Sequence, residues 1–333
     1  MQIHVLNEKD IKKVMDMKAA IEATKDALKA YSNGGADIPL RANLDVADHN
    51  GQSLYMYGYV PTENALGVKI VSVYPDNIAK NLTSVPATMV TLNSETGEVN
   101  SLIDGTYLTR LRTGAIAGAA TDELANKDSK IFALFGTGGQ AETQLEAILN
   151  VRYIKEVRVF DLSKDRAEDF AKRMKEKLGN SFDFEIKAVD SADEAIDNAD
   201  IITAVTTAKD PIFDGKKVKK SCHINGVGSY TPEMSEIPEY IISHADKIYV
   251  DTFDGAVSES GDFIKPIKNG NFDPDKDITG ELGEKLLGKV SGRENIDEIT
   301  FFETTGSAVL DLVVGQKILE AAEKENIGQI IEM

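Results

Sequence analysis

A glycine-rich stretch in the middle of the chain has the residue types and spacing of a dinucleotide-binding turn. The apolar residues 130–135 run directly into Gly136-Thr137-Gly138-Gly139-Gln140-Ala141, which fits the pattern G-x-G-x-x-A, and a helical pattern follows. Gly136 can make the tight turn, Gly138 lets the backbone approach a pyrophosphate, and the small Ala141 allows close packing of helix on strand. The glycines alone fit an ordinary flexible turn as well, but the strand and helix around them favour a dinucleotide site.

An acidic residue stands where such a site needs one. The next apolar segment ends at Asp161, about 25 residues after Gly136, where a carboxylate would bind the ribose hydroxyls of the adenosine half. The same carboxylate would repel a 2′-phosphate, so NAD is the preferred cofactor, with NADP as the alternative. Lys164 and Arg166 follow closely and could accommodate a phosphate. Their other interpretation is as solvated residues in the first turn of a helix.

Three cations stand in apolar or small-residue surroundings: Arg41, Lys69 and Arg112. Such cations need partners. For any one of them, an internal ion pair with one of the 55 acidic residues is the first interpretation.

Two patterns of secondary structure must position these residues. From Lys130 onward, short apolar strands alternate with charged helices, which predicts a doubly wound parallel sheet. The predicted strands are residues 131–135, 157–160, 201–205, 223–227 and 248–250, and the helices residues 164–178 and 191–198. The first third predicts a mixed α+β domain, with an amphipathic helix ending at Gly34-Gly35 and strands over residues 53–59, 67–73 and 88–92. A last helix is predicted at residues 308–323, and residues 265–277 read as an exposed connection.

The bulk composition excludes several function classes. A formal net charge of −18 would repel phosphate backbones and anionic lipids, so we expect no nucleic acid and no membrane among the partners. The start of the chain lacks a signal-peptide pattern and no apolar stretch approaches ~18 residues, so we expect a cytoplasmic location. The single cysteine, Cys222, offers neither a disulfide nor metal-ligand spacing. We predict that it is buried and inert, and we predict no metal site.

Five segments, in this order along the chain, resemble the ornithine cyclodeaminase/mu-crystallin family. They are Gly67-Val68-Lys69-Ile70-Val71, Thr109-Arg110-Leu111-Arg112-Thr113-Gly114-Ala115, the glycine turn itself, His223-Ile224-Asn225-Gly226-Val227-Gly228 and Thr279-Gly280-Glu281-Leu282-Gly283-Glu284. The resemblance covers nearly the whole chain. It implies a homodimer in which residues 1–122 with 307–333 form an α+β domain for substrate binding and dimerisation, and residues 123–306 a Rossmann-type domain.

The resemblance also implies roles for individual residues. Family substrates are small amino or imino acids, and the chemistry is hydride transfer at a carbon bonded to nitrogen. Arg41, Lys69 and Arg112 match the cations that hold the substrate carboxylate, and Lys69 could also exchange a proton with the substrate nitrogen. The residues assigned to the cofactor are Gly136, Thr137, Gly138, Gly139, Gln140, Asp161, Thr206, Val227 and Gly228. A histidine opening a strand, His223, is interpreted as structural.

The sequence departs from the cyclodeaminase pattern at two places. Cyclodeaminases continue after His-Ile-Asn to an aspartate that works on the substrate amine, whereas here Ser229 and Tyr230 occupy that stretch. The acid that meets the distal amine also has no counterpart near Tyr55-Met56-Tyr57. An ornithine ammonium would therefore remain unpaired in this pocket. The pattern is closer to the branch of cyclic ketimine reductases, and Tyr230 and Ser229 are the candidates near the reacting nitrogen.

These observations favour NAD(P)H-dependent reduction of a cyclic or N-substituted imino acid. One alternative is ornithine cyclodeaminase, a lyase that recycles its NAD, and another is an alanine-type amino-acid dehydrogenase. A non-catalytic NAD(P)H-linked binding protein of the mu-crystallin type is the hypothesis from a different class. The intact glycine and cation motifs argue against pure binding.

Overall fold

The computed structural model describes residues 1–333, which form two compact units. The first unit comprises residues 1–112 and 307–333, and the second residues 113–306. The sequence placed the first boundary ten residues later, after residue 122. Both positions fall within one helix, α3 (Gly105–Leu124), which carries Arg112 near its middle. None of the helices combines the length and the apolar character needed to cross a lipid bilayer.

The first unit is a seven-stranded sheet covered by helices. With elements numbered along the whole chain, it contains β1 (Gln2–Leu6), α1 (Glu8–Val14), α2 (Met17–Ser32), β2 (Ala42–Val46), β3 (Gly51–Val60), β4 (Ala65–Val73), β5 (Ala87–Leu92), β6 (Val99–Asp104), α12 (Ala308–Glu325) and β15 (Gln329–Glu332). The strand order is β15-β1-β6-β5-β4-β3-β2, antiparallel except between β1 and β6. Helix α12 packs on β3, β4 and β5 and against α2.

Alternation along the strands explains how this sheet buries one face. In β3 the side chains of Leu54 and Met56 are buried, whereas the intervening Tyr55 and Tyr57 lie on the other face. Helix α12 is mostly apolar between Ala308 and Leu319, with Asp311, Gln316 and Lys317 as the exceptions, and nearly every residue there is buried. An amphipathic sheet and an apolar helix therefore form the core of this unit.

The second unit is an eight-stranded, wholly parallel sheet with helices around it. It contains β7 (Ile131–Phe135), α4 (Ala141–Val151), β8 (Glu156–Phe160), α5 (Lys164–Leu178), β9 (Glu185–Ala188), α6 (Ala192–Ile196), β10 (Ile201–Ala204), β11 (His223–Gly226), α7 (Glu239–His244), β12 (Lys247–Val250), α8 (Phe253–Glu259), α9 (Gly261–Asn269), α10 (Pro274–Asp277), β13 (Gly280–Glu281), α11 (Leu282–Leu286) and β14 (Thr300–Glu303). The order is β13-β12-β14-β11-β10-β7-β8-β9. Two buried apolar clusters flank the sheet.

The strand order places the glycine turn at the functional position of such a sheet. From β7 the chain moves one way to β8 and β9 and then returns to the other side for β10 and β11. Ligands of doubly wound sheets bind at this reversal point, outside the carboxyl ends of the strands. The glycine turn follows β7 and Thr206 follows β10 closely, so both lie at that edge.

The predicted fold class, a Rossmann-type sheet plus an α+β domain, is confirmed, although several strands, among them β1, β2, β6, β9, β13 and β15, were not predicted. The sequence analysis also missed β14, which inserts between β11 and β12 although it is the last strand of this sheet along the chain. The interpretation of residues 265–277 as an exposed connection was wrong, because the segment contains the end of α9 and all of α10. Pro266 lies inside α9 and its ring is buried, so a residue taken as a loop signal packs within a helix.

Candidate active site

Lys69 is buried in the middle of the first unit's sheet. It lies in β4 with Met56 and Met89 as its directly paired neighbours on β3 and β5, and all three side chains are inaccessible to solvent. Strand alternation directs Lys69 to the face that α12 covers. A lysine in such surroundings must find a counter-charge or lose its proton.

The counter-charge is Asp311 of α12, which sequence reasoning missed. Its Oδ2 lies 2.7 Å from Lys69 Nζ, as an ion pair rather than a well-aligned hydrogen bond, and its Oδ1 accepts a hydrogen bond of 2.9 Å from Arg112 Nε. The Asp311 side chain is fully buried. The contact uses Nε of Arg112, so the two terminal nitrogens of that guanidinium are not part of it.

This arrangement unites the two interpretations of the cations. Lys69 and Arg112 each form an internal ion pair with Asp311, so one carboxylate faces two cations. The charge of Arg41, a half-buried residue just before β2, also lowers the pKa of Lys69. Protonated Lys69 with Arg112 thus leaves at least one positive charge without a matching acid. A buried excess of positive charge favours an anion.

The pKa values reflect this imbalance. Burial, together with the Arg112 charge, lowers the pKa of Lys69 to about 7, although Asp311 opposes the shift. Burial raises the pKa of Asp311, but the charges of Arg112 and Lys69 outweigh that effect and the net shift is downward. Asp311 is therefore ionised, while Lys69 is poised between its two protonation states near neutral pH.

The glycine turn of the second unit has the shape that a pyrophosphate requires. Gly136 adopts a positive φ of 94°, its amide donates to Phe160 O, and an added Cβ would lie 2.7 Å from Val205 O. Around Gly138 and Gly139, in contrast, an added Cβ would meet no atom within 4 Å. Helix α4 begins after Gln140, whose side chain makes no capping hydrogen bond; Ala141 N donates to Gly138 O, and no side chain caps the other amides of the first turn, where an anion could bind.

Asp161 follows β8 directly and is bonded to the turn. Its Oδ2 accepts hydrogen bonds from Thr137 N at 3.1 Å and Thr137 Oγ1 at 2.6 Å, and its Oδ1 accepts from Ser163 N. Burial raises its pKa, but the hydrogen bonds from Thr137 and Ser163 and the charge of Arg166 outweigh this and lower it. Arg166 Nη2 lies 3.4 Å from Asp161 Oδ2.

The remaining predicted residues lie after β10 and β11. Val227 N donates to Ala204 O, and the amides of Thr206 and Gly228 both donate to the buried carboxyl group of Glu236. Ser229 is also buried, with its hydroxyl donating to Met234 O. Tyr230 is half-buried.

Two residues that we interpreted as inert or structural are fully buried. His223 Nδ1 lies 2.9 Å from Thr300 Oγ1 and its Nε2 lies 3.1 Å from Asn225 Oδ1, and burial lowers its pKa to about 3. Burial likewise raises the pKa of the Cys222 thiol to about 12. Neither group can exchange a proton or act as a nucleophile near neutral pH.

Both residues that the sequence reasoning missed, Asp311 and Glu236, are acids. Asp311 interrupts the apolar run Ala308-Val309-Leu310-Asp311-Leu312-Val313-Val314, and a lone acid in such a run signals a buried partner. The sequence therefore did contain a signal for the buried role of Asp311. Glu236 lies in a polar stretch, and nothing in its immediate sequence distinguishes it from a surface residue.

The second unit has the glycine turn typical of dinucleotide-dependent oxidoreductases, and the first unit has a buried cluster of charged residues. The model of the ornithine cyclodeaminase/mu-crystallin family matches residues 1–326, and the chain belongs to that family. It is 35% identical over 328 residues to the Delta(1)-pyrroline-2-carboxylate reductase of Bacillus cereus, covering 98% of this chain and 99% of the relative.

Solved structures agree with this relationship. The Thermococcus litoralis Delta(1)-pyrroline-2-carboxylate reductase, in complex with NADH and L-proline, superposes with a TM-score of 0.93 at 39% identity, covering 98% of this chain and 99% of that one. An archaeal alanine dehydrogenase dimer with bound NAD gives a TM-score of 0.90 at 30% identity over 100% of both chains. These relatives are reductases and dehydrogenases, which confirms the predicted oxidoreductase class.

The Asp311 contact generates a stability prediction. Asp311→Ala leaves two buried cations without their counter-charge, so we expect the free energy of unfolding to fall by about 3–5 kcal/mol. Asp26→Asn is the control, because it removes a solvent-exposed ion pair with Lys29 and is expected to change stability by less than about 0.5 kcal/mol. Urea unfolding followed by circular dichroism measures both. Equal, small effects would show that the buried pairs contribute no more than surface ones.

Proposed function

We propose that this protein reduces the C=N bond of a small cyclic or N-substituted imino acid to the amino acid, with NAD(P)H as the reductant. The observation that carries the proposal is the buried set Lys69, Asp311 and Arg112, in which positive charge exceeds negative charge. A monoanionic carboxylate is the ligand that balances it. Similarity to reductases of Delta(1)-pyrroline-2-carboxylate supports the same substrate class.

In this proposal the three cations bind the substrate carboxylate. The terminal nitrogens of Arg112 are suited to both carboxylate oxygens, and Asp311 fixes the orientation of the guanidinium through Nε. Lys69 adds a charge on a side chain whose position the sheet restrains, and Arg41 completes the set. Holding the carboxylate orients the adjacent C=N carbon, which is the main catalytic contribution of this unit.

The second unit supplies the cofactor site. We assign the pyrophosphate to the open backbone at Gly138 and Gly139 and to the uncapped start of α4. Asp161 is assigned to the adenosine ribose and favours NAD over NADP, although Arg166 beside it could meet a 2′-phosphate. When bound, the reduced nicotinamide supplies the hydride. Thr206, Val227 and Gly228 are assigned to that half of the cofactor.

Reduction of an imine to an amine also takes up a proton. Lys69 is one candidate to provide it, because burial and the Arg112 charge place its pKa at about 7. Tyr230 is the other, whereas the buried Ser229 already donates its hydroxyl proton to Met234 O. We therefore assign Ser229 a structural role, in which it holds the segment that carries Tyr230.

Substrates with a second ammonium group fit less well. Within the segment Tyr55-Met56-Tyr57, the residue on the sheet face of Lys69 is Met56, which has no carboxylate to meet a distal amine. This favours a preformed ring such as Δ1-pyrroline-2-carboxylate or Δ1-piperideine-2-carboxylate. An alanine-type dehydrogenase is the second candidate, because an alanine dehydrogenase of known structure is similar over the whole chain.

A screen of NADH and NADPH oxidation tests the proposal. We expect turnover with pyrroline-2-carboxylate or piperideine-2-carboxylate, faster with NADH than with NADPH, and little with pyruvate plus ammonia. Turnover that requires pyruvate and ammonia would identify a dehydrogenase, and ammonia release from ornithine a cyclodeaminase. Tight NADH binding without turnover of any substrate would favour a binding protein.

Arg112→Ala separates the two units' contributions in the same assay. Loss of a buried charge-assisted contact is expected to raise the KM for the imino acid by at least thirtyfold, equivalent to ~2 kcal/mol or more. Its affinity for NADH should stay within twofold of the wild type. Unchanged KM would remove Arg112 from the substrate site.

The protonation of Lys69 predicts a pH dependence. The protonated form holds the carboxylate, so kcat/KM is expected to fall as the pH rises through about 7. Asp311→Asn removes the negative charge that favours protonated Lys69 and should move the fall to lower pH. In Lys69→Arg the cation does not titrate, so any remaining fall reports the substrate imine. An unshifted profile in both variants would show that Lys69 does not control the pH dependence.

We further propose a homodimer formed through the outer sheet face of the first unit. Leu44, Tyr57 and Ile70 lie on that face and are exposed, an apolar area with no covering element in the chain. The similar archaeal alanine dehydrogenase is a dimer. Ile70→Asp is expected to give monomers in sedimentation velocity, whereas Ile296→Asp, on an exposed residue of the second unit, should leave the dimer intact. A dimeric Ile70→Asp protein would place the interface elsewhere.

A further inference from the structure

Glu236 joins two segments of the second unit, those of Thr206 and Gly228, that the proposed function assigns to the nicotinamide half of the cofactor. Its side chain is fully buried, and its Oε1 and Oε2 accept hydrogen bonds from Thr206 N and Gly228 N respectively. These amides follow the neighbouring parallel strands β10 and β11, in which Ala204 pairs with Gly226. One carboxyl group therefore bridges the carboxyl ends of two adjacent strands.

The bridge begins where the sheet ladder ends. Val227 N still donates to Ala204 O at 3.0 Å, and beyond this bond the amides of Thr206 and Gly228 turn to Glu236. Buried amides require an acceptor, and here a side chain provides one for each segment. The spacing of the two segments past the sheet edge thus depends on Glu236.

The Glu236 carboxyl group and the Thr206 backbone pack closely against Gly228. An added Cβ at Gly228 would lie 2.2 Å from Glu236 Oε2 and 2.2 Å from Thr206 O. No side chain can be accommodated there without moving either the carboxyl group or the backbone. The glycine at this position is therefore explained by the Glu236 bridge.

Glu236 is itself held by a second buried acid. Asp262 Oδ1 accepts hydrogen bonds from Glu236 N at 2.8 Å, Ile237 N at 3.0 Å and Ser235 Oγ at 2.9 Å. Asp262 belongs to α9, so the bridge is anchored to a helix. A carboxyl group whose backbone is restrained in this way can define a distance between two loops.

The strand order indicates which part of a dinucleotide these loops would meet. In a doubly wound sheet the first half, here β7 to β9, takes the adenosine part, and the strands on the other side of the reversal take the nicotinamide part. We propose that Glu236 is a positioning residue that holds the Thr206 and Gly228 segments in place for the nicotinamide half of the cofactor. This inference rests on the dinucleotide site of the proposed function.

Glu236→Gln alters this bridge while keeping the size and shape of the side chain. In either protonation state each oxygen of the glutamate retains a lone pair for its amide, whereas glutamine has one acceptor and presents an NH₂ group to the other N–H. One of the two segments is then released. Asp200→Asn is the matched control: Asp200 Oδ2 also accepts from two backbone amides, Lys130 N and Ile131 N, but at the opposite end of the same sheet.

Binding of NADH and of ADP, which lacks the nicotinamide half, provides the test. The chain contains no tryptophan, so the fluorescence of the reduced nicotinamide reports NADH binding and its displacement reports ADP. We expect Glu236→Gln to weaken NADH at least tenfold and ADP less than twofold, and Asp200→Asn to change neither by more than twofold. Melting temperatures of both variants separate this loss from general destabilisation.

Other outcomes overturn the proposal. Equal weakening of NADH and ADP, or no weakening of either, would show that the bridge is only structural. If Glu236→Gln does not fold, Asp262→Asn replaces it, with the same preferential loss of NADH expected to a smaller extent. Wild-type protein that binds NADH but reduces no imino acid would remove the proposed substrate and leave the role of Glu236 intact, whereas failure to bind NADH would overturn both.

Discussion

The contact of Asp311 with Lys69 and Arg112 is the constraint on which the first unit depends. Two cations withdrawn from water are tolerable only if a carboxylate is fixed between them, because each carries a desolvation cost of several kcal/mol. Asp311 is fixed because the apolar residues on either side of it are buried in the core of the unit. The packing of α12 therefore determines the geometry of the charges. The C-terminal segment is in this sense part of the proposed substrate site.

The same contact explains why the site is useful for binding. A fully neutralised pair would have no further attraction for an anion, and an unpartnered pair of cations would destabilise the unit. One carboxylate against two cations lies between these extremes: it makes burial possible and leaves positive charge available. The lowered pKa of Lys69, to about 7, is the physical expression of that compromise. A substrate carboxylate would raise it again, so binding and protonation are coupled.

What sequence reasoning could predict depended on how local the determining interaction is. The turn between β7 and α4 was predicted because strand, glycines and helix are contiguous, and α5 was predicted from its own polar and apolar periodicity. Strand β14 was missed because its position between β11 and β12 is decided by partners far away in sequence. Arg112 was identified as a candidate, yet its partner lies 199 residues further on, and no spacing rule connects the two.

The pKa values of the two buried acids at the candidate sites, Asp311 and Glu236, are shifted in opposite directions, and the difference follows from the groups that each acid contacts. Asp311 faces cations, which keep its pKa low and the carboxylate ionised, as its function as a counter-charge requires. Burial raises the pKa of Glu236 to about 8, and the charge of Asp262 adds to the shift. The hydrogen-bond donors to Glu236, the Thr206 hydroxyl and the amides of Thr206 and Gly228, are neutral and only partly offset the loss of water. A group that positions two loops needs acceptor atoms and not a full charge. Burial alone therefore does not define what an acid does in this protein; the charge of the groups it contacts does.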